Sequence, residues 1–225
     1  MSDISAEEQL RAELAFFGRM TASVTHEINN CIAIIGQVSG LLQDLCYSAQ
    51  QGRPVELEKL CSNSQKVGGQ VARIQEIVKR LNRFAHSVDN AVVCFNPCDT
   101  VHNLVDLCQR FASNRGVTLT MDGTLDAVAI EGDPFCLQQA VFLCIDTAME
   151  ASRDGGSVNV SVTSSDSGIL ITVVSSAPLS SDEHKLSLAL LECVVNKIGG
   201  SAVLPHTGAE EHEFRLEFPG KIGAA

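Results

Sequence analysis

The chain has no tryptophan and one tyrosine, and aromatic residues make up 4% of its 225 positions. Its interior must therefore be filled mainly by aliphatic side chains. Hydrophobic residues still reach 45%, which suffices for one large domain or two small ones. Positive charge is scarce: 16 Lys and Arg stand against 27 Asp and Glu, for a formal net charge of -11. No Lys/Arg stripe offsets that excess, so nucleic acid is not an expected partner. No run of about 18 apolar residues is present, so no membrane span is expected. The opening residues, MSDISAEEQLRAE, carry no secretory pattern. The nine cysteines are odd in number and scattered. They read as reduced, mostly buried small hydrophobes. Cys94 and Cys98 lack a second close pair, and His86, His102, His184, His206 and His212 suit no metal motif. These absences point to a cytoplasmic protein with no metal site of its own.

The segment MTASVTHEINNCIAIIGQVSGLL repeats apolar residues at helical steps. Met20, Val24, Ile28, Cys31, Ile35, Val38, Leu42 and Leu45 form one helical face. His26 lies off that face, in line with Arg19, Ala22, Asn30, Ala33 and Gln37. A water-facing histidine beside an acid suits a carrier of an exchangeable phosphoryl group. The pattern predicts one helix over residues 7–48, a break at 47–55 around Gly52 and Pro54, and a second helix over 56–86. Val67, Val71, Ile74, Ile77 or Val78, Leu81 and Phe84 give the second helix its stripe. An isolated hairpin cannot bury both stripes. Pairing with a second copy makes a four-helix bundle that does. Packing of the hairpin on the rest of its own chain is the alternative.

From Asn96 the pattern changes. An amphipathic helix is expected over 100–114, strands over 116–120 and 127–131, and a helix begun by Asp133-Pro134. Strands follow over 157–164 and 169–174, a helix over 186–198, and strands over 201–205 and 213–218. The fold class is α+β: a long N-terminal hairpin over residues 1–90 that forms a dimeric bundle, then an α/β sandwich over 91–225 with helices on one sheet face.

The residues from Met20 to Leu42, with HEINN at their centre, resemble the phosphoacceptor helix of bacterial two-component sensor histidine kinases. The usual motif has proline where this chain has Cys31. The resemblance makes residues 96–219 similar to the kinase ATP-binding domain. In that family, asparagines on the helix after the first strands hold the metal that bridges the ATP phosphates. Here Leu143 and Thr147 stand at those places. A family Asp-Asn-Gly-x-Gly loop, whose Asp grips adenine, is replaced by Ser175-Ser176-Ala177-Pro178-Leu179. The second glycine-rich segment reads Lys185-Leu186-Ser187-Leu188. An acceptor histidine without a phosphate cradle is similar to stand-alone histidine phosphotransferases of the ChpT type.

That resemblance implies that His26 carries the phosphoryl group, that Glu27 takes or offsets the proton of the other ring nitrogen, and that Asn30 serves the same face. Arg19 is placed to offset phosphate charge, and Phe16, Phe17 and Ile34 to rim the surface. Asp146 and Glu150 are read as a solvated helix face rather than a Mg²⁺ site. The implied partners are a second copy and the receiver domains of a hybrid histidine kinase and of response regulators. No cofactor is implied on this chain, and Mg²⁺ is implied on the receiver. A divergent ATP-using kinase and a receiver-binding phosphatase remain the alternatives.

Overall fold

The computed structural model describes residues 4–123, 128–165, 168–178, 185–204, 212–219 and 223–224. Helix α1 spans Ala6–Gln50. Ser5 and Glu8 start it with a reciprocal capping box: Ser5 Oγ accepts from the Glu8 N–H, and Glu8 Oε2 accepts from the Ser5 N–H. Gly52, at φ 74°, ends the helix in the left-handed conformation that favours glycine. Helix α2 spans Leu57–Ala85. Over one 18-residue window α1 is long and apolar enough to cross a membrane by length and composition. That corrects the expectation that no stretch qualifies. An amphipathic helix with a strong stripe passes the same test.

Contacts divide the chain into two compact units, residues 21–82 and residues 1–20 with 83–225. The first holds most of α1 and α2. Val24, Cys31, Val38 and Ile77 are buried there, while Ile34, Leu41, Val71 and Val78 are exposed. Each helix thus covers one stripe and leaves a second apolar strip open.

The second unit contains a five-stranded sheet in the order β2-β4-β5-β7-β6. Its strands are β2 (Thr118–Asp122), β4 (Ser157–Ser165), β5 (Gly168–Ser175), β6 (Ser201–Val203) and β7 (Glu213–Pro219). Only the β2–β4 pair is parallel. A smaller sheet joins β1 (Val93–Phe95), β3 (Val128–Gly132) and β8 (Gly223–Ala224). The short strands β1 and β8 are additions to the elements expected from the sequence. Period-two alternation fixes the buried face of the large sheet. Val158, Val160 and Val162 of β4, Ile169, Ile171 and Val173 of β5, and Phe214, Leu216 and Phe218 of β7 are all buried.

Helices α3 (Pro97–Asn114), α4 (Pro134–Ala151) and α5 (Lys185–Lys197) complete the unit, with α3 and α4 packed on the sheet and α5 on α4. Asn96 caps α3, accepting from the N–H groups of Cys98 and Asp99; Asp133 caps α4, accepting from those of Phe135 and Cys136. Proline follows each cap, where its missing N–H costs nothing. The cap at Asn96 starts α3 three residues before the position that periodicity alone suggests.

The aliphatic core expected from composition has an aromatic exception. Phe16 contacts Phe84 edge-on at 5.4 Å, and its ring lies 4.9 Å from Phe142 and 5.5 Å from Phe135. Phe17 stacks on Phe84 at 5.4 Å. These rings seat the first turns of α1 inside the α/β unit. Phe16 is therefore a core residue, and the expectation that it rims a docking surface is corrected. Of the nine cysteines, Cys31, Cys98, Cys108, Cys136 and Cys144 are buried, and Cys46, Cys61 and Cys94 are exposed. Burial pushes the Cys108, Cys136 and Cys144 thiols up, so they stay protonated. Replacing Phe16 by Ala should cost about 3 to 5 kcal/mol, read as a lower urea midpoint for the α/β unit.

Candidate functional site

His26, Glu27 and Asn30 all lie on α1, within the unit formed by residues 21–82. The amphipathic stripe turns Met20, Val24, Cys31 and Val38 inward. The opposite face is left to Ala22, Thr25, His26, Asn29, Asn30, Ala33 and Gln37, all exposed. His26 and Asn30 are one turn apart, so their side chains share that face. Small residues flank them one turn to either side. An incoming protein surface meets little steric hindrance beside the imidazole.

Glu27 is half-buried and engaged. Its Oε1 accepts from Arg73 Nη2 at 2.8 Å, an ion pair between α1 and α2. Arg73 is therefore in contact with the residue beside His26. No spacing rule shows such a pair, because its members are 46 residues apart.

Arg19 is committed elsewhere. Its two terminal nitrogens donate to both oxygens of Asp146 on α4 at 2.8 and 2.7 Å. Its guanidinium lies over Phe142, 4.8 Å from the ring centroid. Arg115 reaches Asp146 at 2.9 Å and Glu150 at 3.6 Å, and Arg153 also pairs with Glu150. Burial raises the Asp146 pKa, but the hydrogen bonds and charges of Arg19 and Arg115 outweigh it, and the net shift is downward. The sequence reading of Arg19 as a phosphate-facing cation is therefore corrected. Asp146 and Glu150 form an ion-pair network and not a bare solvated face.

The same helix face is where the resemblance would place metal-holding asparagines. Leu143 offers no ligand atom, Thr147 is buried, and Asp146 already carries two guanidinium partners. Among the described residues no group of three His, Cys, Asp or Glu is placed to hold a metal ion. These residues do not fit a metal-bridged triphosphate. At the end of β5, Ser175 stands in the place of the adenine-binding Asp. Its hydroxyl bonds to Ser152 Oγ at 2.7 Å and donates to the Ala177 carbonyl at 2.8 Å. Ser176 Oγ accepts from the Ser157 N–H at 2.8 Å. The strand end is thus closed on itself. Leu179, His184 and His206 fall outside the described residues.

No family model matches the chain. It is 27% identical to sporulation kinase A of Bacillus subtilis (strain 168) over 88% of its own length and 30% of that protein. It is 25% identical to the sensor protein DegM of Bacillus sp. (strain B21-2), over 64% of this chain and 34% of that protein. The chain thus spans about a third of the length of the curated relatives it matches. The catalytic domain of the histidine kinase ThkA superposes with a TM-score of 0.50 at 15% identity, over 58% of this chain and 97% of that domain. Full-length ShkA in complex with AMPPNP gives 0.50 at 16% identity, over 91% of this chain and 47% of that one. Similarity to sporulation kinase A therefore runs along most of the chain, and the α/β unit has the fold of histidine kinase catalytic domains.

The Asp146 network gives the α/β unit a pH signature. A carboxyl with a lowered folded pKa contributes stability above its unfolded value near about 3.9, and loses that contribution as pH falls through the folded value. Wild-type urea midpoints should therefore drop below about pH 4. Asp146→Asn should be less stable than wild type at pH 7, with a shallower fall between about pH 5 and pH 3.

Proposed function

We propose that this histidine-kinase-like chain is a phosphorelay histidine phosphotransferase of the ChpT type: His26 receives a phosphoryl group from the aspartate of one receiver domain and passes it to another, without binding ATP. The contrast between its two chemical faces supports this reading. The face around His26 is exposed and lined with small residues. The face of α4 that would serve a nucleotide is occupied by Arg19 and Arg115.

In the neutral imidazole one nitrogen lone pair is a nucleophile near pH 7. It forms an N–P bond to the receiver's acyl phosphate, and the P–O bond breaks toward the aspartate, which leaves as carboxylate. The ring proton stays on the other nitrogen, where Glu27 offsets the imidazolium charge. Asn30 supplies an amide to the same face. Mg²⁺ belongs to the receiver. The partners are the receiver domains of a hybrid kinase and of response regulators, all in the cytoplasm. An autophosphorylating kinase is the second reading, favoured by the similarity to sporulation kinase A.

The deciding experiment supplies labelled phosphate to the full chain from two sources. A phosphorylated receiver domain should give an acid-labile, alkali-stable label that disappears in His26→Gln. Mg²⁺ with labelled ATP should give none. Label from ATP would establish the kinase reading, and receiver-derived label that survives His26→Gln would remove His26 from the path.

The hairpin supports a homodimer as the working form. Ile34 and Leu41 lie seven residues apart on α1, and Val71 and Val78 seven apart on α2, all exposed in the single chain. A second copy related by a two-fold axis would cover these strips and complete a four-helix bundle. Each fully buried aliphatic side chain would contribute about 1.5 to 3 kcal/mol. Light scattering at micromolar concentration should give twice the 24.0 kDa chain mass, and Leu41→Glu with Val78→Glu should shift it toward the monomer. A wild-type mass of one chain refutes the bundle.

A further inference from the structure

We propose that Arg73 is a further catalytic residue for phosphotransfer: it holds Glu27 while His26 is unmodified and moves onto the phosphoryl oxygens as the group arrives. This rests on the phosphotransfer reading of His26.

Three observations carry it. Arg73 crosses from α2 to α1 and bonds to Glu27, the residue adjoining His26, at 2.8 Å. Among the described residues it makes one polar side-chain contact, from Nη2 to Oε1, and its side chain is 60% exposed, so it can leave without breaking a core. Arg19, a cation that lines up with His26 on α1, is bound through both terminal nitrogens to Asp146. Lys59 pairs with Glu56 at the far end of the hairpin, and lies 14 residues, or roughly 21 Å of helix, from Arg73.

Exposed ion pairs of this kind are weak and exchange readily. A phosphoryl group brings a charge of roughly −1.5 to −2 and three acceptor oxygens. A guanidinium prefers that to one carboxylate oxygen. When Arg73 moves, two needs are met together. The charge gathering on the transferred group is neutralised, and Glu27 is released to face the imidazolium left when the N–P bond has formed. The return of the phosphoryl group to a second receiver runs the same exchange backwards.

The test measures phosphoryl uptake by the full chain against the concentration of a phosphorylated receiver. Arg73→Ala should lower the maximal rate by about tenfold or more, with the half-saturating receiver concentration within about twofold of wild type. Arg73→Lys should recover most of the rate, because lysine also neutralises phosphoryl oxygens as a point charge. Lys59→Ala should match wild type, and thermal melting of Arg73→Ala should show an intact fold. A wild-type chain that takes label while Arg73→Ala keeps its rate overturns this role alone. So does a loss carried by the half-saturating concentration, or a failure of lysine to rescue. A wild-type chain that takes no label overturns the phosphotransfer reading, and this role with it.

Discussion

A carboxylate removed from water has to be answered by cations, and Asp146 is answered twice. Arg19 and Arg115 both reach its oxygens, and their hydrogen bonds and charges keep it ionised against the cost of burial. Much else in the α/β unit follows from that arrangement. The pair with Arg19 fixes the first turns of α1 on α4. It aligns Phe16 with Phe84, Phe135 and Phe142, and lays the guanidinium on Phe142. It also fills with protein cations the helix face that a nucleotide-bound metal would need.

Helix α1 therefore has two jobs along one continuous stretch. Its first turns are core in the α/β unit, through Phe16 and Met20. Beyond Met20 the same helix belongs to the hairpin and carries His26, Glu27 and Asn30. The buried stripe at Val24, Cys31 and Val38 sets the rotation of the helix, and so decides that His26 faces water. The exposure of the candidate carrier is a consequence of packing on the opposite side. It needs no special device at the histidine.

In the α/β unit the fold and the candidate site rest on different residues. The sheet keeps its alternating apolar face through β4, β5 and β7, and the caps at Asn96 and Asp133 keep α3 and α4 in place. Those features depend on many small apolar and capping contributions spread along the chain. A nucleotide site depends on a few side chains, and here Leu143, Thr147 and Ser175 stand where such side chains would be. Ser175 spends its hydroxyl on Ser152 and the Ala177 backbone, so the strand end is stable without a ligand. The residues that hold the fold are thus distinct from those at the positions compared with a nucleotide site.

Periodicity alone determined the two long helices, the alternation of β4, β5 and β7, and the outward position of His26 and Asn30. These are local properties, since helix and strand each impose a repeat that a few consecutive residues reveal. The capping signal at Asp133 was equally local. The three-residue strand β1 and the two-residue β8 left no such trace, because neither is long enough to show a period and each exists only through its partner β3. Pairings between distant residues were equally hidden. Arg19 with Asp146 and Arg73 with Glu27 join residues 127 and 46 positions apart. Opposite charges attract without a repeat or a spacing, so only the folded chain decides which acid meets which base. That decision turned Arg19 from the expected phosphate face to Asp146 on α4, and brought Arg73 to the residue beside His26.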